Sequence, residues 1–177
     1  MTQEDKDLLF KDLSARLPYG VVCYWRIGSE LTLNLTEYNG QLTGINKVEI
    51  EDSSDYYYDC YFNVCNDSNG NSFQNEDVPV EIVKPYLRPM SSMTKEEALD
   101  MYNLLGGHSK DKIRSVKIKS NGIEYTMDNY KTFFSFGVIY SIEHLDYLNS
   151  HHFDYRGLIE KGLALEAPEG MYNIKEK

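Results

Sequence analysis

The residues best suited to proton transfer or metal binding are the histidines, and His144, His151 and His152 crowd into one segment beside Asp154. An imidazole changes charge near neutral pH and is a common metal ligand. The spacing argues against a shared ion. Adjacent histidines on a helix point about 100° apart, and His144 and His151 stand about two turns apart along one. No metal and no cofactor is expected. The segment reads as a helix corner with one buried, hydrogen-bonded histidine. A small enzyme built on His144, His151 or His152 is kept as an alternative. His151, His152, Tyr155 and Arg156 form one candidate binding group.

A second candidate is Tyr56-Tyr57-Tyr58, flanked by Asp55 and Asp59. On a strand it presents Tyr56 and Tyr58 to one face and Tyr57 to the other. Tyrosine joins an apolar ring to a polar tip, which suits contact with a basic partner. The plain alternative is an edge strand kept soluble by its aspartates. The basic run Lys110, Lys112, Arg114, Lys117 and Lys119 lacks a glycine-rich phosphate loop and reads as a solvated hairpin face. Asp67-Ser68-Asn69-Gly70-Asn71 lacks the glycine and glutamate positions of a calcium loop and reads as a turn. Nucleophile elbow, P-loop, dinucleotide and zincin patterns are missing from the sequence.

The 177 residues carry a net charge of −10. Residues 1–90 hold 15 acids and 7 bases, net −8, and residues 91–177 hold 13 and 11, net −2. Such a field repels nucleic-acid backbones and anionic membranes and accommodates a basic protein. Fifteen tyrosines against seven phenylalanines suit half-buried strands and recognition surfaces alike. No apolar run is long enough to span a bilayer. The acidic, polar start lacks the pattern of a secretory signal, so a cytoplasmic location is expected. Cys23, Cys60 and Cys65 read as reduced thiols of the interior.

These groups need elements to hold them. Leu9, Leu13 and Leu17 predict an N-terminal helix stopped by Pro18. Val21–Ile27 predicts a strand. Leu31, Leu33 and Leu35 predict another, turned at Asn39-Gly40 so that Leu31 faces Val48. Tyr56–Val64 and Val78–Val83 read as further strands, and residues 84–91 as an extended linker. Thr94 and Glu97 form a capping box for a helix through Leu105, ended by Gly106-Gly107. Asn121-Gly122 predicts a hairpin pairing Val116 with Met127, Ile118 with Tyr125 and Lys119 with Glu124. A strand or loop follows over 130–139. Ser141 caps a helix to about Asn149. Asp154 caps a second, from Tyr155 to about Lys161, and that pair has the length of a helix-turn-helix. Residues after Pro168 read as a frayed tail.

Three stretches, Asp12–Val21 (DLSARLPYGV), Lys84–Thr94 (KPYLRPMSSMT) and His151–Pro168 (HHFDYRGLIEKGLALEAP), together resemble a group of uncharacterised proteins from gut Bacteroidales and their phages or prophages. The resemblance implies a mobile-element setting and action in the cytoplasm. It brings no catalytic residue with it.

The expectation is an α+β domain: an N-terminal helix on a small antiparallel sheet or SH3-like barrel, then a helix, a β-hairpin and two C-terminal helices. It is one domain with possible subdomains 1–83 and 92–168. The functional expectation is a non-enzymatic accessory protein that binds a host protein or a small signalling molecule, with a nucleic-acid-binding regulator as another alternative.

Overall fold

Thr2 opens the first helix, α1 (Gln3–Arg16), by accepting from the Asp5 amide while the Asp5 carboxylate accepts from the Thr2 amide. This reciprocal pair satisfies two amides that a bare helix end leaves unbonded. The computed structural model describes residues 1–28, 35–50, 54–67, 72–104, 113–119, 121–128, 130–136, 138 and 141–172. The chain divides into two compact units, 1–86 with 158–168 and 87–157 with 169–177.

In the first unit, Pro18 converts the end of α1 into a 3-10 turn, Leu17–Tyr19. Gly20, left-handed at φ 69°, turns the chain into β1 (Val22–Gly28). Then come β2 (Leu35–Glu49), β3 (Tyr56–Asp67), β4 (Ser72–Pro79), a 3-10 turn over Val80–Ile82, and β5 (Lys84–Leu87). β1 to β4 meander antiparallel, and β5 returns beside β1. The interior holds Leu9 and Leu13 of α1 with Cys23, Trp25, Leu42 and Phe62. Trp25 stacks on Phe62 at 4.1 Å between ring centroids, and Phe10 stacks on Tyr58 at 4.2 Å.

Three expectations for this unit are corrected. Asn39-Gly40 is not a hairpin tip but lies inside β2, opposite Tyr24 and Cys23 on one side and Asn66 and Cys65 on the other. Gly40 borders a register shift, the bulge that a strand glycine often marks. Val48 pairs with Tyr57 rather than Leu31, which lies outside the described residues. Val78–Val83 is not a strand, since β4 ends at Pro79 and a 3-10 turn follows. Residues 84–87 are not linker but β5, with Cys23↔Pro85 and Tyr24↔Lys84 in register; proline is tolerated where the ladder does not need its missing amide.

The second unit starts with a 3-10 turn, Met90–Ser92, and then α2 (Lys95–Leu104), capped by Thr94 and Glu97 as expected. Next come β6 (Ser115–Lys119), β7 (Gly122–Thr126), β8 (Lys131–Ser135) and α3 (Ile142–Ser150), where the Ser141 side chain accepts from the His144 amide. Ala98, Met101, Ile123, Tyr125, Leu148 and Phe153 form its buried core. The β6–β7 hairpin exists in another register: Ile118 pairs with Ile123 and Val116 with Tyr125. The apolar face survives because the shift is even. Gly122 belongs to β7 rather than to the turn. A Cβ there would lie 2.2 Å from the Phe134 carbonyl oxygen and 2.4 Å from the Phe133 ring.

The expected second C-terminal helix does not form, and residues 155–164 run through turns and bends. Gly157 and Gly162 both take left-handed backbone, at φ 68° and 71°, which a helix interior excludes. Residues 158–168 rejoin the first unit, where β9 (Leu165–Glu166) completes the sheet order β4-β3-β2-β1-β5-β9. The expected frayed tail is ordered at least to Tyr172, whose ring stacks on His152 at 3.8 Å. The end of α2 at Gly106-Gly107 lies outside the described residues. The whole is α+β, and no described helix is long and apolar enough to cross a membrane.

Candidate functional site

The histidines are drawn into packing. His144 is buried on α3, and burial lowers its pKa, favouring the neutral ring. His152 is buried at φ 56° against Tyr172. His151 stacks on Tyr147 at 4.0 Å, with Nδ1 2.9 Å from the Tyr147 carbonyl and 3.1 Å from Ser150 Oγ. A carbonyl only accepts, so Nδ1 carries the proton of the neutral ring. Both partners of that nitrogen are neutral, and among the described residues no carboxylate orients the ring as the base of a catalytic triad requires. Tyr155 donates to Asn149 Oδ1 at 3.0 Å, and the Arg156 guanidinium lies 5.0 Å from the Tyr155 ring centroid.

The same region joins two of the stretches that carry the resemblance. Arg88 donates to His152 O at 2.8 Å, and its own carbonyl accepts from Asp154 at 2.7 Å. Its guanidinium grips both oxygens of Glu97 at 2.6 and 2.9 Å and lies 4.3 Å from the Phe153 ring centroid. Burial opposes the Glu97 charge, but Arg88 and the Thr94 amide outweigh it and hold its pKa below the ordinary value. A paired, stacked arginine of this kind braces a fold.

Tyr56, Tyr57 and Tyr58 alternate across β3 as expected. Tyr56 and Tyr58 both donate to the Asp7 carboxylate, at 3.1 and 2.9 Å, and so fasten α1 to the sheet. Lys47 Nζ lies 3.9 Å from the Tyr56 ring centroid. Tyr57 is the outward member, 40% exposed. β3 is an interior strand, correcting the edge-strand reading, although these tyrosines extend past the end of β4 at Asp59↔Pro79. Of the basic run, Arg114 pairs with Asp128 and Lys119 with Glu124; Lys110 and Lys112 lie outside the described residues. The helix-turn-helix has no second helix, so its DNA-reading element is not formed.

Sequence reasoning passed over a third place. Asp59 and Tyr61 share one face of β3, opposite Asn46 and Gly44 of β2. Leu17, Thr43, Gly44, Ile45, Asn46, Tyr61 and Phe62 enclose a cleft of about 480 Å³, within the range of ligand pockets. Asn46 Nδ2 reaches the Tyr61 hydroxyl at 3.5 Å, and that hydroxyl also donates to Asp77. Burial, with Asp77 and Asp59, raises the Tyr61 pKa against the Asn46 hydrogen bond, which lowers it.

Asp59 is 7% exposed, and its pKa is raised by burial first and then by the charges of Asp77 and Glu81. Among the described residues no cation and no hydrogen-bond donor reaches its carboxylate. Glu81 differs: burial opposes its charge, yet its ion pair with Lys6 holds the pKa below the ordinary value. Asp77 sits in left-handed backbone at φ 57°, which aspartate tolerates better than most residues. A clue existed in the alternation Asp59-Cys60-Tyr61, which puts Asp59 and Tyr61 on one strand face. Asp77 and Glu81 join the group only through the β3–β4 pairing and the 3-10 turn.

This arrangement suits holding a cation. The buried thiols of Cys23 and Cys60 have pKa values pushed well up by burial, which disfavours the thiolate. Comparison with protein-family models, with curated proteins and with solved structures finds no match for this chain.

Proposed function

We propose that the protein acts by binding, without catalysis, and that its acidic, tyrosine-rich first unit receives a basic protein. The observation that carries this reading is Asp59, a residue only 7% exposed, with no cation reaching it among the described residues and its charge opposed by burial and by Asp77 and Glu81. An enclosed charge without a partner is destabilising, and a cation from outside relieves it. The net charge of −8 over residues 1–90 supports attraction of a basic surface from a distance. The resemblance to phage and prophage proteins supports a host protein as partner and an accessory role in the cytoplasm.

The test is affinity purification from a Bacteroidales host with the wild-type chain and the double variant Asp59→Asn/Asp77→Asn. The expected result is a stoichiometric basic partner that is released by high salt and missing from the variant's eluate. Recovery of the same proteins by both chains, or of no basic partner by either, overturns the reading.

A further inference from the structure

We propose that the outer face of the β6–β7–β8 sheet binds single-stranded nucleic acid, with a base stacked on Phe133 and phosphates held by Lys117, Lys119 and Lys131. The inference concerns the second unit and does not rest on the reading of Asp59.

The strand registers settle which residues share that face. Lys117, Glu124 and Phe133 lie in one row across the sheet, Lys119 and Gly122 in the next, and Thr126 and Lys131 in the row on the other side. The opposite face carries Ile123 and Tyr125 into the core. Outward, three lysines stand against one glutamate, so the face carries +2 on a chain whose net charge is −10. Lys119 lies 2.9 Å and Lys131 3.7 Å from the two Glu124 oxygens, and Lys117 faces the same residue in register. One carboxylate thus gathers three cations that it cannot neutralise. The acids of residues 1–90 weaken this local field little where they lie beyond about 8 Å, the screening length at physiological salt.

An aromatic ring sits among these cations. Phe133 is 44% exposed, large for a side chain of its kind. Its ring rests against the bare backbone of Gly122, where a Cβ would come within 2.4 Å of it, and Lys119 Nζ lies 5.6 Å from the ring centroid. An open ring bordered by lysines is the platform on which an unpaired base stacks while its phosphates meet the cations. A duplex keeps its bases stacked on each other and offers the ring none. An acidic peptide would satisfy the lysines and leave Phe133 without a stacking partner.

The test follows the fluorescence anisotropy of a labelled oligothymidylate of about twelve nucleotides, within the span of single-strand sites, as the full chain is added. Affinity is expected to fall between about 50 and about 200 mM salt with a log–log slope of about −2, as three phosphate contacts on a single strand require. Lys117→Gln is expected to flatten that slope by about 0.7, the share of one phosphate. Phe133→Ala is expected to weaken binding at least about five-fold, the lower end for one stacked base. Phe133→Tyr keeps the ring and is expected to bind like the wild-type chain, which separates stacking from mere loss of the fold. No binding at low salt, equal affinity for a duplex or for a polyglutamate of the same charge, a slope unchanged by Lys117→Gln, or full binding by Phe133→Ala overturns the inference.

Discussion

Two enclosed aspartates in the first unit have opposite energetics, and the difference is whether a cation was built beside them. Asp12 and Arg16, one helical turn apart on α1, are both fully buried and joined by bonds of 2.7 and 3.1 Å. Removing one member of such a pair strands the other, at about 3–5 kcal/mol. Asp12→Ala is therefore expected to lower the urea midpoint sharply, read by Trp25 fluorescence. Among the described residues Asp59 has no such partner, so Asp59→Asn is expected to stabilise, by about 1 kcal/mol, or a rise in Tm of about 2–4 °C for a chain of this size. The sign with pH follows from the raised pKa. Between the unfolded carboxyl value and the raised folded one, the folded state holds the extra proton, so stability falls as pH rises through that window. The advantage of Asp59→Asn should be full at neutral pH and shrink as the solution is acidified through the window. A gap in Tm that stays constant across the acid range would show that Asp59 is not enclosed as a charge. A stabilising variant that also loses the partner is the pattern of a site held at the expense of the fold.

At the scale of elements, what local chemistry dictates was legible and what distant strands dictate was not. The Thr94–Glu97 box, the Ser141 cap and the Leu9–Leu13 stripe depend on near neighbours, and each forms where its residues stand. Asn39-Gly40 has the chemistry of a hairpin, but strands on both sides of β2 outweigh a local turn preference. The Asp59 group was illegible because Asp77 and Glu81 join it through strand pairing, which one sequence does not display. The β6–β7 register missed for a related reason: the glycine that suits a turn is held in β7 by Phe133 and Phe134 of β8. Gly122→Ala forces a methyl group into the Phe134 carbonyl, and overpacking of that kind costs about 1–3 kcal/mol or more. The expected result is loss of second-unit stability, seen as earlier hydrogen exchange at the Ile123 and Tyr125 amides. Unchanged protection there would return Gly122 to the turn.

For the whole molecule, sequence order and unit membership part company, because residues 158–168 belong with the N-terminal residues. The physical basis is burial: Leu158, Leu163 and Ala164 are all enclosed, and the Leu163 and Ala164 amides both donate to the Leu158 carbonyl at 2.9 and 3.2 Å. A helix over 155–161 would have spread these side chains around its axis, whereas the turns created by Gly157 and Gly162 gather them. Leu158→Ala is expected to cost about 2–5 kcal/mol, the usual range for a leucine truncated in a packed interior. The loss should appear in the unit that contains Trp25, since the fully buried Trp25 and Leu158 belong to the same unit. Equilibrium urea unfolding followed by Trp25 fluorescence reads that unit directly. A midpoint that drops with Leu158→Ala makes the C-terminal segment part of the N-terminal core; a midpoint that does not move would make 158–168 an appendage and the partition of the chain wrong.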